Sequence, residues 1–172
     1  MKDAEKLKFQ KVLTYTNGYR ELGMHTYALK ELANLTDEQT QSQTALQMRL
    51  AILMDANRWK KALTIARKLH AISPESADTH VNLAFVIRRA HSLKDAQSIL
   101  INAAEKFPTE AIIPYNLGCY ACQNADLDEA KTYLTQAFQL DTKYIEMAKK
   151  DEDLGELKSW VAQKAPEKHS KD

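Results

Sequence analysis

The sequence predicts an all-α fold of stacked helix-turn-helix repeats, and two observations support this prediction. Small or apolar residues recur along the chain at a spacing of 34 residues. One series is Ala28, Ala62, Ala96 and Ala130, and the other is Leu35, Leu69, Ala103 and Ala137. The 172 residues also contain only four glycines, four prolines and no sustained β-branched alternation, so strands are not expected.

The period divides the chain into four repeats of two helices each. Their predicted ranges are 9–42, 43–76, 77–110 and 111–144. Pro74 and Pro108 lie near the ends of the second and third repeats, where proline stops a helix and forces the chain to turn. Gly23 and Asn57 lie between paired helices and suit a left-handed turn residue. The alanines of the two series are expected where the helices of one repeat approach closely.

A further amphipathic helix is predicted to cap the array over residues 145–164. Asp153 followed by Glu156 gives a start similar to a capping box, and Pro166 follows the apolar stripe. Trp160 is expected to pack on Phe138 and Tyr144. The repeats and this helix are predicted to form a single domain over 1–164, followed by a polar tail over 165–172.

The fourth repeat carries the sequence pattern of a known family. It reads Tyr115-Asn116-Leu117-Gly118 in its first helix, Asp126-Leu127-Asp128-Glu129-Ala130 at the turn, and Ala137 in its second helix. This pattern resembles the tetratricopeptide repeat (TPR), with Leu117 and Gly118 at repeat positions 7 and 8. The first half of the chain departs from it, because position 7 is Tyr15 and then Arg49.

The resemblance implies a right-handed superhelix whose first helices line a concave groove for a protein or peptide. The side chains at the groove-lining repeat positions include Asn17, Arg20, Gln47, Met54, Asn82, Phe85, Arg88, Arg89, Tyr115, Asn116 and Gln123. Asn82 and Asn116 are expected to hydrogen-bond a ligand backbone, or alternatively to be solvated consensus residues. Arg88 and Arg89 suit an acidic group, and the aromatic and methionine side chains suit apolar anchors.

Composition argues against several kinds of partner and location. The chain carries 24 basic and 23 acidic residues, a net charge of +1, so neither nucleic acid nor an acidic membrane surface is expected to bind it. No apolar stretch approaches the ~18 residues of a membrane helix. Cys119 and Cys122 cannot make a disulfide framework, and the N-terminus does not resemble a signal peptide. We therefore predict a cytoplasmic protein.

No catalytic constellation is found, so an enzyme is not expected and neither a cofactor nor a metal site is predicted. The two cysteines lack the second ligand pair of a zinc site and lie in mid-helix, unlike a redox motif, so they are expected to be buried or groove-lining thiols. The histidines form no His-Glu-x-x-His pattern, and no phosphate loop or Gly-x-Ser-x-Gly motif occurs.

The predicted function is a protein- or peptide-binding scaffold, either a monomer or a weak homodimer. The carboxylate clamp of chaperone-binding TPR domains is missing, since Leu13 and Met48 stand at two of its positions. A secretion-type chaperone that holds an extended client segment is the main alternative, on grounds of size and architecture. An accessory domain of a larger complex is a third possibility, although the initial Met and polar tail favour a complete chain.

Overall fold

The computed structural model describes residues 3–164, and every regular element in that range is helical. In chain order the elements are α1 (Asp3–Glu21), α2 (His25–Leu32), α3 (Asp37–Thr40), α4 (Gln43–Asp55), α5 (Trp59–Ile72), α6 (Ala77–Ala90), α7 (Leu93–Lys106), α8 (Ile112–Gln123), α9 (Leu127–Leu140), α10 (Lys143–Lys150), a 3-10 helix (Glu152–Leu157) and α11 (Lys158–Ala162). The predicted all-α class is confirmed. The polar tail predicted over 165–172 lies outside the described residues.

The helix pairs follow the 34-residue period. α4 and α5 occupy the predicted second repeat, and α8 and α9 occupy the fourth. In three of the helix pairs the two helices are joined through a residue of positive φ, namely Gly23 (71°), Asn57 (53°) and Ala125 (61°). Alanine in this conformation costs about 1–2 kcal/mol, so Ala125 is held there by the packing on either side.

The link between α6 and α7 is built differently. Only His91 and Ser92 separate these helices, whereas three residues separate the other pairs. Ser92 is the N-cap of α7 and has extended backbone, and its hydroxyl accepts a hydrogen bond from the Asp95 backbone amide at 3.0 Å. This link therefore closes without a left-handed turn residue, and the Ser92 side chain caps α7.

The described chain divides into two compact units, which meet in sequence at Ala90 and His91. In the first unit the core joins α1, α2 and α4 through Val12, Ala28, Leu32, Ala45 and Ile52. Ala28 is completely buried, as expected for a small residue that lets two helices approach closely.

In the second unit α8 is buried along most of its length and packs on α9. Gly118 lies against Leu134, and a Cβ atom added to Gly118 would lie 2.7 Å from Leu134 Cγ and 3.2 Å from the Ala130 carbonyl oxygen. The space at repeat position 8 is therefore filled by a side chain of the partner helix, which explains the glycine.

The segment after the last repeat is not the continuous helix that was predicted over 145–164. It is α10, a 3-10 helix and α11, with a break at Asp151. The N-cap of the 3-10 helix is Asp151, not Asp153, and its carboxylate accepts a hydrogen bond from the Asp153 amide at 3.0 Å. The expected Trp160–Phe138 contact is confirmed, with stacked rings whose centroids are 6.1 Å apart.

None of the helices within residues 3–164 is long and apolar enough to cross a membrane.

Candidate functional site

The predicted groove residues on α1 form part of a polar network with α4. Arg20 Nε donates a hydrogen bond to Asp55 Oδ2 at 2.6 Å, and Arg20 Nη1 donates to Asn17 Oδ1 at 3.4 Å. Asn17 Nδ2 in turn donates to Glu21 Oε1 at 2.8 Å. The side chains of Arg20 and Asp55 are about one-third exposed, at 33% and 39%, so water screens their ion pair and its contribution to stability is modest.

The structure brings two predicted residues of α6, Phe85 and Arg89, together with Trp59 of α5. The rings of Phe85 and Trp59 meet edge to face, with centroids 6.1 Å apart. The Arg89 guanidinium lies 5.7 Å from the Trp59 centroid and 5.6 Å from that of Phe85. Both rings are half-buried, whereas Arg89 is exposed. We call Trp59, Phe85 and Arg89 the aromatic–arginine cluster.

Trp59 was absent from the predicted set because it is the first residue of α5, a second helix, whereas the family pattern assigns groove contacts to first helices. A tryptophan two residues after the turn residue Asn57 was the available signal in the sequence. Of the other predicted residues in the first unit, Gln47 is exposed and Met54, Asn82 and Arg88 are half-buried.

In the second unit two of the predicted residues of α8, Tyr115 and Gln123, contact the chain's own C-terminal segment. Tyr115 is buried, its hydroxyl donates a hydrogen bond to Asp151 Oδ2 at 2.7 Å, and its ring lies 4.9 Å from that of Tyr144. Gln123 Nε2 donates to the Asp153 carbonyl at 3.0 Å, and Asn116 Nδ2 donates to the Ile112 carbonyl at 2.8 Å.

The buried position of Tyr115 has an electrostatic consequence. Burial disfavours the phenolate, and the hydrogen bond to Asp151 reinforces this, so the pKa of Tyr115 is raised well above its ordinary value. The hydroxyl is therefore a permanent donor near neutral pH. In this structure the apolar anchor predicted at Tyr115 is already used by the segment that follows the repeats.

The two cysteines are buried free thiols, as expected. Burial raises the pKa of Cys122, which disfavours the reactive thiolate. The Cys119 thiol lies 3.6 Å from Asp151 Oδ2. Within residues 3–164, no three His, Cys, Asp or Glu side chains cluster in a way that could hold a metal ion.

Solved structures share this architecture, although sequence comparison alone finds no relative. No protein-family model matches the chain, and no curated protein matches it. MamA 41-end from Desulfovibrio magneticus RS-1 superposes with a TM-score of 0.64 at 17% identity, covering 78% of this chain and 76% of that one. A crystal structure of MamA gives a TM-score of 0.64 at 17% identity, with 80% of this chain and 81% of that one covered. MamA MSR-1 C2 gives 0.62 at 14% identity, with 83% and 82% covered.

The superpositions establish a shared fold, and at these low sequence identities they establish nothing finer. MamA is a helical protein of the TPR type. The chain therefore has a TPR-type helical repeat fold, as the resemblance of its fourth repeat implied.

Proposed function

We propose that this protein is a non-catalytic scaffold that binds a segment of a partner protein through the first helices of residues 3–90. The contacts would come from Asn17 and Arg20 on α1, Gln47 and Met54 on α4, and Asn82, Phe85, Arg88 and Arg89 on α6. We call these side chains the first-helix residues. The TPR-type fold supports the class of function, because such repeats present helix faces for protein partners.

The observation that carries the proposal is the aromatic–arginine cluster. Aromatic residues and arginine dominate the binding energy of protein interfaces, since they combine a large apolar area with few rotatable bonds or with several donors. Trp59 and Phe85 offer half-buried rings, and Arg89 lies over both while staying exposed. A guanidinium held over rings keeps its N–H edge available for a carboxylate.

A second polar position lies on α1. Arg20 is held by Asp55 and Asn17, so its guanidinium is oriented before any partner arrives. Ordering a long side chain beforehand reduces the conformational entropy that binding would otherwise cost. Arg20 is therefore suited to a polar contact with the backbone or an acidic side chain of the partner.

The second unit has a smaller part in this proposal. Tyr115 and Gln123 are engaged by Asp151 and Asp153, and the amide of Asn116 is used within its own helix. We therefore leave Tyr115, Asn116 and Gln123 out of the primary contact set. Tyr115 becomes available to a partner only if the C-terminal segment moves away from α8.

The test compares capture of a partner from the source lysate by three forms of the chain. The site variant carries Phe85→Ala and Arg89→Gln. The matched control carries Ile101→Ala and Lys94→Gln, which also remove one apolar and one basic side chain, from exposed positions on α7. The proposal is supported if wild type and control capture a partner that the site variant does not capture. The circular dichroism spectrum of the site variant must be unchanged. Equal capture by all three overturns it.

We also propose that the protein acts in the cytoplasm, without a cofactor, as a monomer or weak homodimer. Cell fractionation tests the compartment. Sedimentation equilibrium over a range of concentrations tests the association state, and a tight dimer at micromolar concentration would contradict it.

A further inference from the structure

A cavity of about 420 Å³ opens in the first unit, and none of its lining residues is a first-helix residue. Its walls come from α2, α4, α5 and the loop before α5. The lining residues are Leu29, Arg49, Leu53, Arg58, Lys61, Thr64 and Ile65. Its volume falls within the range of pockets that hold a ligand or a few side chains, roughly 300–1,000 Å³.

The cavity lies where the second repeat departs from the repeat pattern. Repeat position 7 is Leu83 in the third repeat and Leu117 in the fourth, and both leucines are buried. The second repeat has Arg49 there, and its side chain is only half-buried. Arginine carries a charge that must stay near water, so it cannot fill an apolar site as leucine does.

The cavity walls combine cationic and apolar side chains. Arg49, Arg58 and Lys61 line the cavity, and no acidic residue does. None of these three cations forms an ion pair with a side chain of residues 3–164. Leu29, Leu53 and Ile65 supply the apolar part. Three uncompensated cations beside an apolar hollow select an anion that carries an apolar group.

We propose that this cavity is a second protein-binding site, which takes an acidic peptide segment with one apolar side chain. The apolar side chain enters between Leu29, Leu53 and Ile65. Carboxylates on either side of it pair with Arg49, Arg58 and Lys61, and the arginines offer two parallel N–H donors to each carboxylate.

Two alternatives fit the walls less well. Inorganic phosphate would satisfy the cations and leave the apolar surface wet. A fatty acid would fill the hollow, but its single carboxylate would leave two cations unpaired. A peptide with several carboxylates matches both the charge and the apolar part. The site shares no residue with the first-helix residues, so it can fail or succeed independently of the function proposed above.

The test is an NMR titration of the full chain, in which the chemical shifts of the backbone amides are measured. The probe is the peptide acetyl-Glu-Asp-Leu-Asp-Glu-amide. One comparison peptide carries Gln and Asn in place of the acids, and another carries Ala in place of Leu. Sodium octanoate and inorganic phosphate form the remaining arms. We expect the acidic leucine peptide to shift amides around the cavity at millimolar concentration, and each altered peptide to bind about tenfold more weakly or worse.

Arg49→Leu is the principal variant, because leucine is the residue at the same position of the next two repeats. It should fold at least as well as wild type, fill the hollow and weaken peptide binding by about tenfold or more. Arg58→Gln with Lys61→Gln should weaken it similarly. The matched control is Lys60→Gln with Arg67→Gln, which removes two exposed cations of the same helix outside the cavity and should leave binding unchanged.

Several results would overturn the proposal. The first is that millimolar peptide shifts no amide. The second is that the folded Arg49→Leu variant binds the peptide as tightly as wild type. The third is that the Lys60 and Arg67 control loses as much peptide binding as the cavity variants. Octanoate binding as tightly as the peptide would assign the cavity to a fatty acid instead. Phosphate shifting the same amides equally would show that the apolar surface is not used.

Discussion

At repeat position 8 of the fourth repeat, α8 and α9 approach too closely for a Cβ atom. Gly118 faces fully buried Leu134, and a methyl group there would lie 2.7 and 2.9 Å from its Cγ and Cδ2 atoms. Gly118→Ala should therefore destabilise the chain by about 1–3 kcal/mol, since the overlap outweighs the helix propensity that alanine gains. Urea unfolding measures the change.

Gly18 provides the matched control for that prediction. It lies inside α1, and a Cβ atom added there would meet nothing within 4 Å. Gly18→Ala should stabilise the chain by about 0.5–1 kcal/mol, because alanine is the better helix former. If both substitutions changed stability in the same direction, the assigned role of the Leu134 contact would be refuted.

Thr16 occupies the same repeat position in α1 and is completely buried, yet its hydroxyl has no hydrogen-bond partner among residues 3–164. A buried hydroxyl without a partner costs free energy, so Thr16→Val should raise the free energy of unfolding by about 1 kcal/mol. Thr79→Val is the control, because the Thr79 hydroxyl donates to the Ser73 and Ser76 carbonyls at 2.8 and 2.9 Å. That substitution should lower stability, and thermal unfolding compares the two.

Among the elements, the segment from α10 to α11 depends on a contact between Tyr115 and Asp151. Tyr115→Phe removes a hydrogen bond to a carboxylate and should destabilise the chain by about 1.5–3 kcal/mol. We expect hydrogen exchange to accelerate most in the amides of the 3-10 helix and α11. Unchanged protection there would mean that apolar burial of Leu154 and Val161 holds the segment without this bond.

The same contact predicts a loss of stability at alkaline pH. The folded chain keeps the Tyr115 proton because its pKa is raised, whereas the unfolded chain releases it near pH 10.0. The contribution of the protonated Tyr115 to the free energy of unfolding is complete below that pH and is lost progressively as the pH rises above it. Urea midpoints of wild type should therefore fall between about pH 9 and 11 more steeply than those of Tyr115→Phe. Parallel curves would contradict this.

For the whole molecule, a repeat fold predicts that a destabilising substitution affects mainly the repeats around it. Each repeat contacts its sequence neighbours, so stability is close to a sum of local terms. Gly118→Ala should speed hydrogen exchange more in residues 91–164 than in residues 3–90. Equal acceleration throughout would indicate that the chain unfolds as one cooperative unit.

The sequence alone determined the helical repeat and the turns at Gly23, Asn57 and Pro74. The 34-residue spacing of the alanines can be read directly from the chain. Gly23, Asn57 and the proline after α5 act through local sterics over a few residues, so their effect can be predicted without coordinates. Tertiary structure alone decided that the C-terminal segment breaks at Asp151 and covers Tyr115, and that Arg49 lines a cavity. Those outcomes depend on which distant side chains share one volume, and a periodic pattern carries no information about such packing.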